Sequence, residues 1–130
     1  MIDRVLVDTS VWISFFRHAD HAVSDRLSAL LRNGNPAYTG LIAAELRRGA
    51  KSAKELDVLE DLFRSIEYLP MKEEYFNGAG DLGRLLMQKG ISVGTIDLLL
   101  AYIAIETNTA LYSLDHHFPA IAKYAPLRLY

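Results

Sequence analysis

The chain contains no cysteine. That single absence excludes disulfides, thiolate metal sites and a cysteine nucleophile. No apolar run approaches the roughly 20 residues needed to span a membrane, so no membrane partner is expected. The opening Met1-Ile2-Asp3-Arg4 leads directly into a strand, without the layout of a signal peptide, and a cytoplasmic location is the default expectation. No Gly-x-Gly-x-x-Gly follows the first strand, which removes a dinucleotide-binding role. Repeats, linkers and low-complexity stretches are also missing. Charge of either sign is nearly absent in sum, with a formal net value of −2.

What remains is an apolar, compact composition. Of the 130 residues, 51% are hydrophobic, enough to bury a core within a single domain, residues 1–130, and too many for a disordered chain. Short β-branched or alternating runs predict strands over residues 4–8, 37–39, 66–69 and 109–114, with a small edge strand over 127–129. Helical spacing predicts helices over 10–16 (capped by Thr9 or Ser10), 20–32 and 41–50. Ser52-Ala53-Lys54-Glu55 forms a capping box that opens another helix through residue 63. Residues 72–89 form a long helix in spite of Gly78, Gly80 and Gly83, which would allow close helix packing. An apolar helix over 95–107 follows, then a short one over 116–124 interrupted by Pro119. Strands alternating with helices predict an α/β fold: a central, mostly parallel sheet of four to five strands with helices on both faces.

Four carboxylates stand out against this pattern. Asp8 and Asp115 close predicted strands, Glu45 lies in the apolar stretch 41–46, and Asp97 sits in the first turn of the apolar helix. A carboxylate buried unpaired loses several kcal/mol of hydration, and several such acids together call for a cation. Ligands of open parallel sheets bind beyond the carboxyl ends of strands, where Asp8 and Asp115 both lie. Asp97 is favoured near a helix N-terminus, and Glu45 follows the second strand, so all four acids can reach one rim. Oxygen ligands alone suit hard ions such as Mg²⁺ or Mn²⁺, and one or two such ions can activate water for phosphodiester hydrolysis. Hydroxyls at Thr9, Ser10 and Thr95 are close enough in sequence to orient water, phosphate or a carboxylate. Each acid taken alone reads as an ordinary cap or surface residue; their conjunction favours a site. Setting the four aside leaves 12 of 16 acidic residues against 14 basic ones, so the weak overall acidity argues neither for nor against a nucleic-acid substrate.

The segments carrying these acids, Val7-Asp8-Thr9-Ser10-Val11-Trp12-Ile13, Ala44-Glu45-Leu46-Arg47-Arg48-Gly49, Gly94-Thr95-Ile96-Asp97-Leu98-Leu99-Leu100-Ala101 and Leu114-Asp115, resemble in order and spacing the acidic motifs of PIN-domain nucleases. Within that class the chain most resembles the VapC toxins of VapBC toxin–antitoxin pairs, over essentially its whole length. The resemblance implies a three-layer PIN-like sandwich and a Mg²⁺- or Mn²⁺-dependent endoribonuclease. Asp8, Glu45, Asp97 and Asp115 become its metal-binding, catalytic acids, with Asp8 and Asp97 the foremost ligands, a metal-activated water attacks, and cleavage leaves a 5′-phosphate. It also implies an RNA substrate, a cognate VapB-type antitoxin and a homodimer. A PIN nuclease of RNA processing without a toxin role is the alternative. A receiver domain fails because the third strand ends in Leu69-Pro70 rather than in a phosphoacceptor, and a haloacid-dehalogenase-type phosphatase fails because Ser10 stands where a second Asp is needed.

Other residues admit two readings. Arg47, Lys51 and Lys54 would share one helix face and, with Arg48, either contact RNA phosphates or form a solvated face; the neighbouring Glu45 tips Arg47 and Arg48 toward RNA. His116 and His117 read more readily as a surface pair than as ligands, since hard Mg²⁺ prefers oxygen. Trp12, Phe15 and Phe16 read as core or dimer interface. Tyr75, Phe76, Leu82, Leu85, Leu86 and Met87 offer more apolar surface than one helix face usually buries, which fits a dimer or antitoxin groove and intramolecular packing equally well.

Overall fold

The computed structural model describes residues 2–130; Met1, the first residue of the opening segment, lies outside the described residues. Its centre is a four-stranded, all-parallel sheet in the order β3-β2-β1-β4, built from β1 (Arg4–Val7), β2 (Asn35–Tyr38), β3 (Glu67–Tyr68) and β4 (Ala110–Tyr112). Val5, Leu6 and Val7 are all buried. Successive strand residues point to opposite faces, so continuous burial means that both faces of β1 are covered, the arrangement parallel sheets require.

Among the described residues seven helices provide the cover: α1 (Thr9–Phe16), α2 (His21–Asn33), α3 (Gly40–Gly49), α4 (Ala53–Arg64), α5 (Glu73–Gln88), α6 (Thr95–Glu106) and α7 (His117–Ala122). α1 packs on α2 and α3, while α5 packs closely on α6. That closeness depends on two glycines, because a Cβ at Gly78 would collide with the Tyr102 ring and one at Gly83 would lie 2.7 Å from Leu98 Cδ1. Gly80 meets nothing within 4 Å and has no such role. Trp12 is fully buried and donates its indole N–H to the Val7 carbonyl at 3.1 Å. Phe15 is partly buried and Phe16 stands at the surface.

Several boundaries differ from expectation for physical reasons. Neither Thr9 nor Ser10 caps α1: Asp8 is the N-cap residue, and its side chain makes no capping bond. The box at Ser52 holds on one side, with Ser52 Oγ accepting the Glu55 N–H at 3.2 Å, but Glu55 reaches back to the N–H of Lys51 instead. Pro119 does not interrupt α7. It is the third residue of a continuous helix, in the first turn, where a missing N–H costs no intrahelical bond. The expected edge strand at 127–129 reduces to one parallel bridge between Leu111 and Leu129. On α5, Tyr75, Leu82 and Leu86 enter the core, whereas Phe76, Leu85 and Met87 stay exposed.

The chain builds β2 and β3 to one side of β1, then crosses to place β4 on the other. The strand order therefore reverses between β1 and β4, at the carboxyl ends of which Asp8 and Asp115 lie. Crevices at such reversals are where open α/β sheets bind ligands.

Candidate functional site

Asp8 occupies the last position before α1 and is only 7% exposed. An aspartate there normally accepts the N–H groups of the first helical turn; this one is turned away from its helix. Its backbone N–H donates to the Tyr112 carbonyl at 2.9 Å, pinning the end of β1 to β4. Its carboxylate oxygen Oδ2 accepts the hydroxyls of Ser113 at 2.7 Å and Ser10 at 3.0 Å. Each hydroxyl is itself oriented by a backbone amide: the Leu114 N–H donates to Ser10 Oγ at 3.1 Å and the Asp115 N–H to Ser113 Oγ at 3.0 Å. Two neutral donors thus fix a buried carboxylate without cancelling its charge.

Asp97 projects from the first turn of α6 and Asp115 from the turn after β4. His117, the first residue of α7, stands between them, its Nδ1 at 3.2 Å from Asp97 Oδ2 and 3.2 Å from Asp115 Oδ1. Asp115 Oδ1 also accepts the His117 backbone N–H at 3.0 Å. The two carboxylate oxygens, each within 3.2 Å of one nitrogen, therefore lie no more than 6.4 Å apart. Burial pushes the Asp97 carboxyl above its ordinary value, the hydrogen bond from His117 draws it back, and the charges of Asp115 and Asp8 push it up again. Asp97 thus registers both other acids through space. Among the described residues no Lys or Arg forms an ion pair with Asp8, Asp97 or Asp115; the ion pairs recorded for Asp97 and Asp115 are all to histidines.

Glu45 stands apart from this trio. It is exposed on α3 and accepts the Thr9 hydroxyl at 3.1 Å, so it borders the site through the residue that follows Asp8. Ser10 joins Asp8 through its hydroxyl, whereas Thr95 is exposed and its hydroxyl makes no hydrogen bond among the described residues. The basic stripe is not continuous: α3 ends at Gly49 and α4 begins at Ala53, so Arg47, Lys51 and Lys54 do not share a helix face. Arg47 is paired with Glu60 at 3.2 Å. Arg48 and Lys51 are exposed, and Lys51 and Lys54 line a groove of about 530 Å³ with Arg17, Glu45, Ile13 and Phe16.

Two residues beside the acids were missed or discounted in the sequence reading. Ser113 lay within an expected strand and offered no signal of its own, since its partner Asp8 is distant in the chain. His117 was read with His116 as a surface pair. His116 fits that description at 89% side-chain exposure, but His117 sits between two of the acids. Their adjacency to Asp115 was the available signal.

Comparison with known proteins bears on this geometry. The family model described as the PIN domain matches residues 5–124. Ribonuclease VapC1 of Methanocaldococcus jannaschii is 29% identical over 128 residues, covering 98% of this chain and 87% of the relative. Ribonuclease VapC2 of Rickettsia felis is 26% identical over 113 residues, covering 82% of each. Among solved structures, VapBC2 from Rickettsia felis bound to a promoter DNA fragment superposes with a TM-score of 0.78 at 24% identity, covering 98% of this chain and 97% of the other. VapBC-1 from nontypeable Haemophilus influenzae gives 0.78 at 22% identity, with 98% and 96% covered. These likenesses establish a shared three-layer fold.

Proposed function

The chain belongs to the PIN domain family, and from that premise we propose that it is a divalent-metal-dependent endoribonuclease, the toxin of a VapBC-type pair. The relatives named ribonuclease VapC support the activity, and the VapBC complexes among its structural neighbours support the pairing. The observation that carries the proposal is the meeting of Asp97 and Asp115 on one imidazole nitrogen, with no Lys or Arg answering them among the described residues; burial first, and then the charges of Asp115 and Asp8, push the partly buried Asp97 carboxyl upward. The donor set fits a hard cation, since the acids present carboxylate oxygens and their mutual repulsion is left for something else to offset.

Asp8, Asp97 and Asp115 would hold the metal, Mg²⁺ or Mn²⁺, with Glu45 joining from the rim. When bound, the ion supplies Lewis acidity and a hydroxide-like water for attack on a phosphodiester. Ser10 and Ser113 hold Asp8 in one orientation, so that its carboxylate is preorganised rather than recruited. Glu45, which accepts the Thr9 hydroxyl, would direct the attacking water, and the products would carry a 5′-phosphate. Arg48 and Lys51, exposed beyond Glu45, contact RNA phosphates; Arg47, already paired with Glu60, contributes less. The same reading gives the protein a VapB-type antitoxin and a second copy of itself as partners. Phe76 and Met87, eleven residues apart and so nearly aligned on α5, supply exposed apolar surface for one of them.

Incubation of the purified protein with total cellular RNA, with mapping of new 5′ ends in Mg²⁺, Mn²⁺ or EDTA, tests the activity. Cleavage is expected only with metal, and Asp8→Asn or Asp97→Asn should abolish it in a folded protein; cleavage retained in both variants would refute the assignment. Growth arrest on expression, relieved by a small gene from the same locus, separates a toxin from a processing nuclease.

A further inference from the structure

The donor atoms in the site are not all oxygens: ligand atoms of Asp115, His116 and His117 lie within 4.8 Å of one another. Asp97 Oδ2 and Asp115 Oδ1 each lie 3.2 Å from His117 Nδ1. Neighbouring ligands on an octahedral ion with bonds of about 2.1 Å are separated by about 3 Å, so each carboxylate-to-nitrogen spacing serves neighbouring ligands of a cation as readily as a hydrogen bond. Nor is the ring free to drift. Its backbone N–H is held by Asp115 Oδ1 at 3.0 Å, and Phe118, the next residue, is buried in the core. At 40% exposure the His117 side chain still faces solvent, which leaves an entry path for an ion.

We infer that His117 supplies an imidazole nitrogen to the cation held by Asp97 and Asp115, and that this tilts the site from Mg²⁺ toward Mn²⁺. Mg²⁺ is a hard ion that selects oxygen, whereas imidazole favours the first-row transition ions. A purely carboxylate cluster has no such bias. The inference rests on the proposed metal-dependent function and adds to it a ligand of a different chemical type. His116 also brings a ligand atom within 4.8 Å of those of Asp115 and His117. With Nδ1 at 3.7 Å from Asp115 Oδ1, no ion pair to Asp97 among the described residues and a side chain almost fully exposed, it is the competing ligand the test must separate from His117.

The direct test is pulsed electron paramagnetic resonance of the wild-type protein loaded with Mn²⁺, with its histidines labelled by ¹⁵N. The expected result is a hyperfine coupling to one directly bound imidazole nitrogen, lost in His117→Gln and kept in His116→Gln. In parallel, His117→Gln should weaken Mn²⁺ binding about tenfold and Mg²⁺ binding less than threefold, measured by calorimetry. Gln retains the backbone N–H that Asp115 holds, so the local fold is preserved, and circular dichroism checks it. Mn²⁺ bound without nitrogen coupling would overturn the inference while leaving the metal cluster intact. Equal weakening for both ions would likewise overturn it, reducing His117 to a residue that only positions the carboxylates. Failure to bind either ion would remove the proposed function along with it.

Discussion

Asp97→Asn should stabilise the metal-free protein while destroying its response to metal. Asp97 Oδ2 and Asp115 Oδ1 are at most 6.4 Å apart. Two like charges about 6 Å apart repel by about 0.7 kcal/mol in bulk water and about 3 kcal/mol at an effective dielectric of 20. The site is partly open, with side-chain exposures of 25% for Asp97 and 33% for Asp115, so screening places the effect near the lower end, about 1 kcal/mol. Asparagine keeps the shape and a polar partner for His117 while removing the charge. For a chain of this length 1 kcal/mol corresponds to about 3–5 °C in Tm. The pH dependence follows from the direction of the shift. Burial and the two neighbouring acids raise the Asp97 carboxyl above its ordinary value of 3.8, so the folded state takes up that proton more readily than the unfolded chain. The contribution of Asp97 to stability is thus fully present below about pH 3.8 and is lost as pH rises through the raised value. Thermal unfolding in EDTA should accordingly show Asp97→Asn above wild type at pH 7, with the gap closing toward pH 4. Adding millimolar Mn²⁺ should reverse the order, because an ion that binds only the native state stabilises wild type alone. A variant less stable than wild type in EDTA at pH 7 would show that the protein neutralises its own acids, and the case for an external cation would fail.

Two more perturbations bear on how the site is supported. Ser113→Ala removes a charge-assisted hydrogen bond to the buried Asp8 at 2.7 Å and the acceptor of the Asp115 N–H; it should cost about 1.5–3 kcal/mol in urea unfolding, and a loss under about 0.5 kcal/mol would mean that Asp8 is held by other groups. Gly80→Ala, with open space at its Cβ, should stabilise α5 by up to about 1 kcal/mol. Gly83→Ala gains the same helix propensity but presses on buried Leu98 at 2.7 Å, so it should unfold about 1–3 kcal/mol more easily than Gly80→Ala; equal melting temperatures would refute the close-approach role of Gly83.

What could be read from the chain was whatever local pattern determines. β-branched runs and helical spacing identified every strand and helix of the sheet and its cover, and the alternation of the two identified a parallel α/β fold. Asp8, Asp97 and Asp115 were legible because each stands at an element boundary, and the topology of such sheets sends those boundaries to one rim. Contacts across the sheet were not legible. Ser113 serves Asp8 from 105 positions away, a pairing that exists only once β4 has docked beside β1. Lys51 was misassigned to the face of Arg47 because helical periodicity was carried through Ala50, which leaves the helix at φ −67, ψ 137. His117 was discounted on ligand chemistry alone, a sound argument for Mg²⁺ that says nothing about where the ring lies.

The placement of two arginines bears on why the acidic cluster has no Lys or Arg partner among the described residues. Arg4 donates to Thr109 Oγ1, Glu67 and the Thr107 carbonyl, tying β1 to β3 and β4 at their amino ends. Arg128 clamps Asp3 through two hydrogen bonds and also reaches the Asn108 carbonyl. Both cations are therefore committed to the edge of the sheet opposite Asp8. The consequence is visible in two acids of the same chain: Arg128 holds the Asp3 carboxyl below its ordinary value, while burial and like charge push Asp97 above its own. Strand direction enforces this separation, since in a parallel sheet all amino ends share one edge and all carboxyl ends the other. A long cation at the carboxyl edge would relieve the repulsion and add stability, but it would also occupy the position a metal needs. Hydroxyls do the orienting at that edge instead, because they hold a carboxylate in place and leave its charge available. Under the proposed metal-dependent function, the cost would be a native state whose stability depends on the ion it binds.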